Sequence, residues 1–437
     1  MVNSFPFRGA IFDLDGTLLD SLWVWRRVDE RFFGARGLAI PEDYVRAISG
    51  MSFTETAVYT VNALGLTETP EAVMAEWMAL AADEYAHDVQ LIPGARDFLR
   101  QLRRAGVKLA AATANRFPLI EPALERCGIR ELFGTILTTG DLGDRGKSDG
   151  ELFRRAAARL GLSPEDCVVF EDTLEGVRGA RRAGMGACAV RSVACAHTLD
   201  AVSVLTDVVL DDYTRLPWDL PENAGRCVIF TACCEGDPSA VYAPKAGDHI
   251  LCADNGWRVA QSIGITPDLV IGDFDSSDAP EFGPVERFPV EKDDTDTMLC
   301  VKRGLSMGYD DFLLIGGFGG RLDHTLANLQ SLLYVARRGA RAEMSDDSRW
   351  ATVLDGGAVR VPKRGGVLSV FAMGDVCRGV NIRGAKYNAQ DITLTNAFPL
   401  GAGNAIVDAY AEISVREGAM LVMTEKTIDN GQLKIEN

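Results

Sequence analysis

Asp13 and Asp15 stand two residues apart in Asp13-Leu14-Asp15-Gly16-Thr17, directly after the apolar run Gly9-Ala10-Ile11-Phe12. A carboxylate pair at that spacing can share a Mg2+ ion, and the first of the pair can attack phosphorus as a nucleophile. The other half of the chain carries a second acidic set. Asp273 and Asp275, again at i and i+2, fall in Gly272-Asp273-Phe274-Asp275-Ser276, and Asp296 closes Lys292-Asp293-Asp294-Thr295-Asp296. Oxygens from these three can chelate one Mg2+. In Gly316-Gly317-Phe318-Gly319-Gly320, the glycines let backbone N–H groups approach phosphate oxygens without interference from Cβ atoms, and Arg321 adds a bidentate donor. The run lacks a Gly-Lys-Ser/Thr ending, which excludes a P-loop kinase. Both regions point to metal-assisted chemistry on phosphorylated ligands.

Such chemistry needs strands whose C-terminal ends carry the acids, because α/β sheets place ligands there. The sequence supplies them. Residues 107–113 and 167–170 read as buried parallel strands, and residues 97–104 and 175–183 as the clearest helices of the first half. Residues 22–90 read as helices with no strand, so a helical insertion interrupts the first sheet. In the second half, residues 227–230, 249–253, 269–272 and 312–315 are apolar runs that end in polar loops. From about residue 350 short alternating strands follow, separated by Gly, Pro and Asn, which predicts a small β-sandwich or barrel. The acidic, proline-bearing stretch 216–225 has no periodicity and reads as a linker. The expected divisions are 1–215 with an insertion at about 20–92, the linker 216–225, an α/β domain at 226–345 and a β domain at 346–437.

The 437 residues include 45 basic and 62 acidic ones, so the net charge is −17. An acidic surface disfavours nucleic acid and anionic membranes as partners, but not a small anion held through a divalent cation. Residues 1–10 form neither a signal peptide nor an anchor, and no later run is long enough to span a bilayer. The 10 cysteines include no CxxC pair. Scattered reduced thiols fit a cytoplasmic protein.

Asp13-Leu14-Asp15-Gly16-Thr17-Leu18 closely resembles the first motif of the haloacid dehalogenase superfamily, in its phosphoglycolate-phosphatase and beta-phosphoglucomutase-like branch. The remaining motifs follow in order. Thr113 matches the residue that hydrogen-bonds the transferred phosphoryl group, Lys147 the lysine that neutralises it, and Glu171-Asp172 the acidic pair that completes the Mg2+ site with Asp13 and Asp15. The resemblance implies a Rossmann-like parallel sheet with a helical cap. It also implies a phosphomonoesterase in which Asp13 becomes phosphorylated while Asp15 first protonates the leaving oxygen and then activates water. Ser148 and Gly150 replace the two prolines usual after the lysine, so a looser loop is expected. Trp25 and Phe53 stand where the mutases of this branch carry a His and a basic residue, which favours a phosphatase. Trp23, Trp25 and Phe53 fit either the core of the cap or a stacking surface for a flat substrate ring.

The second set, taken together, is similar to thiamine pyrophosphokinase over residues 226–425. The elements Asp254-Asn255-Gly256, Asp273 to Ser276, Lys292 to Asp296 and Gly316 to His324 occur in the family's order. The resemblance implies transfer of diphosphate from ATP to thiamine, giving thiamine diphosphate and AMP. Asp273, Asp275 and Asp296 would then hold Mg2+ against the phosphates. Arg321 would contact phosphate, Asp323 would lie on the substrate side, and Asp254, Asn255, Gly256, Gly317, Gly319 and Gly320 would line the nucleotide. No dedicated base stands out, so the metal cluster is expected to orient and polarise the hydroxyl. His324 reads as a packing or hydrogen-bonding residue. Gly384-Ala385-Lys386-Tyr387 matches the segment whose aromatic stacks near the thiamine rings, and Asn404 matches the second residue of a Ser-Asn pair. Gly403 replaces the Ser of that pair. Members of this family are homodimers with the site between subunits, so dimerisation through the second half is expected. The whole reads as a bifunctional enzyme, with thiamine monophosphate as one candidate substrate of its first half; the other reading makes that half regulatory or active on a sugar phosphate.

Overall fold

Continuous apolar runs fold as strands buried on both faces, and the computed structural model places six of them in one parallel sheet. They are β1 (Gly9–Phe12), β2 (Lys108–Thr113), β3 (Thr135–Thr138), β4 (Cys167–Glu171), β5 (Gly186–Val190) and β6 (Val208–Leu210). Their order is β3-β2-β1-β4-β5-β6. Phe12 and Phe170 lie opposite one another in the β1–β4 register and stack with centroids 4.5 Å apart. The structure describes residues 3–48, 51–143, 146–192, 198–220, 225–274, 279–281 and 283–426. The chain divides into two compact units, Met1–Pro221 and Glu222–Asn437, each described here by itself.

The helical insertion leaves the first unit's sheet through Leu19–Asp20 and returns through Gln90–Leu91, which pair antiparallel. Its helices are Val24–Ala35, Tyr44–Ile48, Phe53–Leu64 and Pro70–His87. Local chemistry sets their ends. Ser52 and Glu55 form a reciprocal capping box, Gly65 closes that helix at φ 61°, and Thr69 caps the helix that begins with Pro70.

The stretch read as a linker is a connector only in part. Trp218–Asp219 pairs in parallel with Asn3–Ser4, and Trp218 stacks on Phe98 at 6.2 Å. Leu216 and Leu220 pack on the same core. A two-residue strand held by one aromatic ring is too short to give a periodicity. Residues 221–224 lie outside the described residues.

In the second unit, β7 (Cys227–Phe230), β8 (His249–Ala253), β9 (Leu269–Gly272), β10 (Val285–Arg287), β11 (Asp311–Ile315) and β12 (Arg341–Ser345) run parallel in the order β10-β9-β8-β7-β11-β12. Helices Asp296–Ser306 and Leu322–Arg337 belong to this part. Then come β13 (Arg349–Pro362), β14 (Val367–Ala372), β15 (Val376–Arg383), β16 (Ala389–Thr395) and β17 (Tyr410–Glu425). The expected β region has its own core, built on Val361, Leu368, Val380, Ile413 and Val422. It is nevertheless continuous with the α/β sheet. One end of β13 pairs with β12, and β13 pairs along nearly all its length with β17, shifting register between Asp355 and Gly357. The division expected at 345/346 falls in the turn between two paired strands.

Candidate functional site

In the first unit the acids gather where β1 and β4 end. Asp13 follows β1 directly, and its backbone N–H donates to the Phe170 carbonyl at 2.9 Å. Ligand oxygens of Asp13, Glu171 and Asp172, all buried, lie within 4.8 Å of one another. Lys147 bridges Asp13 and Glu171, the latter at 2.8 Å. Glu171 also accepts from the Thr173 N–H and hydroxyl, and Asp172 from the Ser192 hydroxyl at 2.7 Å. Burial first, then the neighbouring carboxylates, push Asp13 well above the usual carboxylate range, against the opposing pull of Lys147. Asp172 is pushed up to about 6 by burial and by Glu171. Burial alone would lower the Lys147 ammonium, but Asp13 and Glu171 outweigh it and keep it charged. Three crowded buried carboxylates with one ammonium are short of positive charge, and this all-oxygen set fits Mg2+.

Glycines make the crowding possible. A Cβ on Gly16, whose φ is +79°, would lie 2.3 Å from Asp172 Oδ2. Close contacts hold the described residues that follow Lys147, where the two prolines are missing. Gly150 is left-handed, with its Cα against the Gly179 carbonyl, and a Cβ on Gly179 would meet the Lys147 carbonyl at 2.1 Å. Arg182 and Arg154 clamp the loop through the carbonyls of Ser148 and Asp149. Glycine contact replaces proline stiffness.

Asp15 was expected among the metal ligands, but the structure turns it away from the Asp13, Glu171 and Asp172 group. Its carboxylate accepts from Ser21 Oγ at 2.6 Å, from Tyr85 Oη, and from Asn115 Nδ2 at 3.3 Å. Asn115 also donates to Tyr85 Oη at 3.0 Å. Thr113, buried at the end of β2, accepts from the Asn115 N–H at 3.0 Å. Ser21, Tyr85 and Asn115 are site residues that the motifs did not reveal. Tyr85 comes from the cap helix Pro70–His87, where an aromatic in an apolar pattern looks like any core residue. Of the cap aromatics, Trp23 packs on the core and donates to the Asp20 carbonyl at 2.7 Å. Trp25 and Phe53 remain part-exposed, 5.6 Å apart edge to face, with Phe53 resting on buried Trp77. A cleft of about 890 Å3 beside the cluster is lined by Gly16, Trp23, Arg26, Arg191 and Ser192 among others.

In the second unit a pocket of about 290 Å3 is lined by Asp254, Asp273, Lys292, Asp296, Gly317, Gly319 and His324 among others, all from residues 231–328. Asp254 and Phe274, at the ends of β8 and β9, have φ of 46° and 55°. Left-handed backbone at non-glycine residues is uncommon and is found where the surrounding structure holds it in place. Lys292 Nζ sits 2.6 Å from Asp273 and 2.9 Å from Asp296. These carboxylates fit a divalent cation by donor type; Asp275 lies outside the described residues.

Several other expectations fall differently. The Gly317 N–H donates to the Cys233 carbonyl at 2.7 Å and that of Gly316 to Ser345, so neither faces a phosphate. Arg321 and Asp323 do not line this pocket. They are exposed and paired with each other, Nε to Oδ1 at 3.1 Å. The short spacing of the two residues at a helix start favours that pairing. His324 is not packed but exposed at the pocket's rim. Asn255, Gly256 and Gly320 are outside the lining. Gly256 serves packing instead, since a Cβ there would lie 2.0 Å from the Phe230 carbonyl.

The β region also supplies nothing to that pocket. Asn404 is buried, and both ends of its amide are engaged: Oδ1 accepts from the Tyr387 N–H at 3.0 Å and Nδ2 donates to the Tyr387 carbonyl at 2.7 Å. It positions the Tyr387 segment, and the Tyr387 ring is 62% exposed. The Gly403 N–H donates to Ser369 Oγ at 3.2 Å, so a neighbouring strand brings a hydroxyl to the place where serine is missing.

Comparison with known proteins follows the same division. A model of the haloacid dehalogenase-like hydrolases matches residues 7–184, and one of the thiamin pyrophosphokinase catalytic domain matches residues 244–344. Tyr387 and Asn404 lie beyond the second match. The chain is 30% identical over 212 residues to the validoxylamine A 7'-phosphate phosphatase of Streptomyces hygroscopicus subsp. limoneus, covering 48% of this chain and 97% of that one. It is 29% identical over 200 residues to hexitol phosphatase A of Escherichia coli, covering 45% and 89%. Among solved structures, thiamine pyrophosphokinase from Bacillus subtilis is 20% identical with a TM-score of 0.43, covering 47% of this chain and 100% of that one. CbbY from Rhodobacter sphaeroides, in complex with phosphate, is 25% identical with a TM-score of 0.41, covering 48% and 96%.

Proposed function

Because the chain belongs to the haloacid dehalogenase-like hydrolases and carries a thiamin pyrophosphokinase catalytic domain in its second half, we propose that it is a bifunctional enzyme acting on phosphate esters at two separate sites. In the first half, an Asp13 oxygen attacks the phosphorus of a phosphomonoester. The ester P–O bond breaks, and Asp15 gives its proton to the departing oxygen. Asp15 then takes a proton from water, whose oxygen displaces Asp13 and releases inorganic phosphate. Lys147 offsets negative charge beside Asp13 throughout. Asp13, Glu171 and Asp172 would hold Mg2+, which when bound supplies charge neutralisation at the phosphoryl group. The observation that carries this reading is the buried convergence of Asp13, Lys147, Glu171 and Asp172.

The second half is read as transferring diphosphate from ATP to thiamine, with AMP as the other product. Asp273 and Asp296 would hold Mg2+, and Asp254 lines the same pocket. The aromatic end of thiamine is assigned to Tyr387. The pocket draws nothing from the β region, and exposed Tyr387, Phe398, Leu400 and Val407 give that region an apolar surface. A homodimer in which one copy's Tyr387 faces its partner's pocket accounts for both observations, and sedimentation of the full chain should give twice the monomer mass. A monomeric active enzyme would contradict it. Free thiols buried in the cores, such as Cys167, Cys252 and Cys377, suit a reducing cytoplasmic setting.

Fusion to a thiamine-using half makes thiamine monophosphate the first substrate to test for the phosphatase. The names of the relatives, a hexitol phosphatase and a validoxylamine phosphate phosphatase, favour a polyol or sugar phosphate as a second reading. A screen of the full chain with Mg2+ separates them. Faster phosphate release from thiamine monophosphate than from hexitol phosphates and generic esters supports the first reading, and the reverse order supports the second. No release from any phosphomonoester, with AMP still formed from thiamine and ATP, would leave the first half regulatory.

A further inference from the structure

Lys292 joins Asp273 and Asp296, two of the described acids of the second pocket. It lies four residues before Asp296, which opens the helix Asp296–Ser306, and it reaches across to Asp273 at the end of β9. All three side chains are largely buried, with exposures of 13% for Lys292, 12% for Asp273 and 23% for Asp296. Its Nζ lies within 2.9 Å of an oxygen from each acid. A divalent cation needs those oxygens at about 2.0–2.1 Å. An ammonium and a metal ion cannot both occupy that point between two carboxylates. The lysine stem is flexible and its charge compact, so the ammonium can leave without unfolding the loop. Among the described residues, the pocket it would swing into contains Gly319 and His324 and two further carboxylates, Asp254 and Asp294, the latter paired with Lys302 at 2.8 Å.

On the reading that this pocket takes a metal with a polyphosphate, we propose that Lys292 is a displaceable counter-ion. It holds Asp273 and Asp296 together when no metal is bound, yields its place to the metal, and then pairs with the anionic phosphate that arrives with it. The consequence is a coupling between two ligands. Metal alone must take both carboxylates from the ammonium, which then has only the other described acids of the lining to turn to, Asp254 and the Lys302-paired Asp294, so it binds less tightly. Metal with polyphosphate gives the ammonium a partner, so each ligand strengthens the other, and the effect is reciprocal.

The test is titration of the full chain with Mn2+, alone and then with a non-hydrolysable ATP analogue, for wild type, Lys292→Met and Lys292→Arg. The part of the signal lost in Asp273→Asn defines this site and separates it from the metal site of the first half. Lys292→Met is expected to bind Mn2+ alone about tenfold tighter than wild type, as removing one positive charge near the metal requires. It should also lose most of the strengthening between Mn2+ and the analogue. Lys292→Arg keeps the cation and should retain weak Mn2+ binding. Lys292→Met binding Mn2+ no tighter than wild type overturns the proposal. If Asp273→Asn removes no Mn2+ binding, the metal-site reading on which the proposal rests fails instead.

Discussion

Asp15 is held more firmly than a proton donor needs to be for one step. Ser21, Tyr85 and Asn115 all donate to it, and Tyr85 belongs to the cap. Burial, followed by the nearby Asp15 charge, raises the Tyr85 phenol well above its usual range, so it stays protonated and acts as a donor. The cap therefore helps to fix the position of Asp15, the proposed acid for the leaving group. Replacing Tyr85 with Phe should lower kcat for a generic phosphomonoester about tenfold with KM little changed, since the hydroxyl orients Asp15 and does not bind substrate. An unchanged kcat, or a loss confined to KM, would contradict this. Residues of this kind were hidden in the sequence. Asp13, Lys147 and Glu171 stand in short motifs, whereas Tyr85 and Asn115 meet Asp15 from 70 and 100 positions away and gain their meaning only from the fold. In the second half, Arg321 and Asp323 were legible as polar residues beside glycines, but their pairing with each other was not.

At the scale of elements, the strands that end in chemistry were the most legible part of the chain. β1, β4, β8 and β9 are short apolar runs followed at once by acids, and a strand buried on both faces has no polar positions to blur it. Elements fixed by single contacts were not. The piece around Trp218 looked like a linker, and β13 was visible only as its alternating segment, since its start, Trp350–Thr352, is paired on both sides, with the parallel-sheet strand β12 as well as with β17. Trp218 stacks against Phe98 and lies edge-on to Phe5 and Phe170, so it fastens the end of the first unit to its core. Trp218→Ala is expected to destabilise the chain by about 2–4 kcal/mol in urea unfolding, in the range of large-to-small core changes. A change within about 0.5 kcal/mol would return this stretch to the role of linker.

Across the whole molecule, part of the acidic charge is gathered into two largely buried sets. Asp13, Glu171 and Asp172 form one buried set, and Asp273 and Asp296 another, and each is bridged by a single lysine. No described helix is long and apolar enough to cross a membrane. The central claim is that the two sets are independent active sites in one chain. Parallel assays of phosphate release from a phosphomonoester and of AMP formation from thiamine and ATP, in wild type, Asp13→Asn and Asp273→Asn, test it most directly. Asp13→Asn should lower phosphate release by about 1,000-fold or more and leave AMP formation intact, and Asp273→Asn should do the reverse, as loss of a reacting or metal-holding carboxylate demands. Loss of both activities in either variant, with the fold retained by circular dichroism, would show that the sites are not independent and contradict the account.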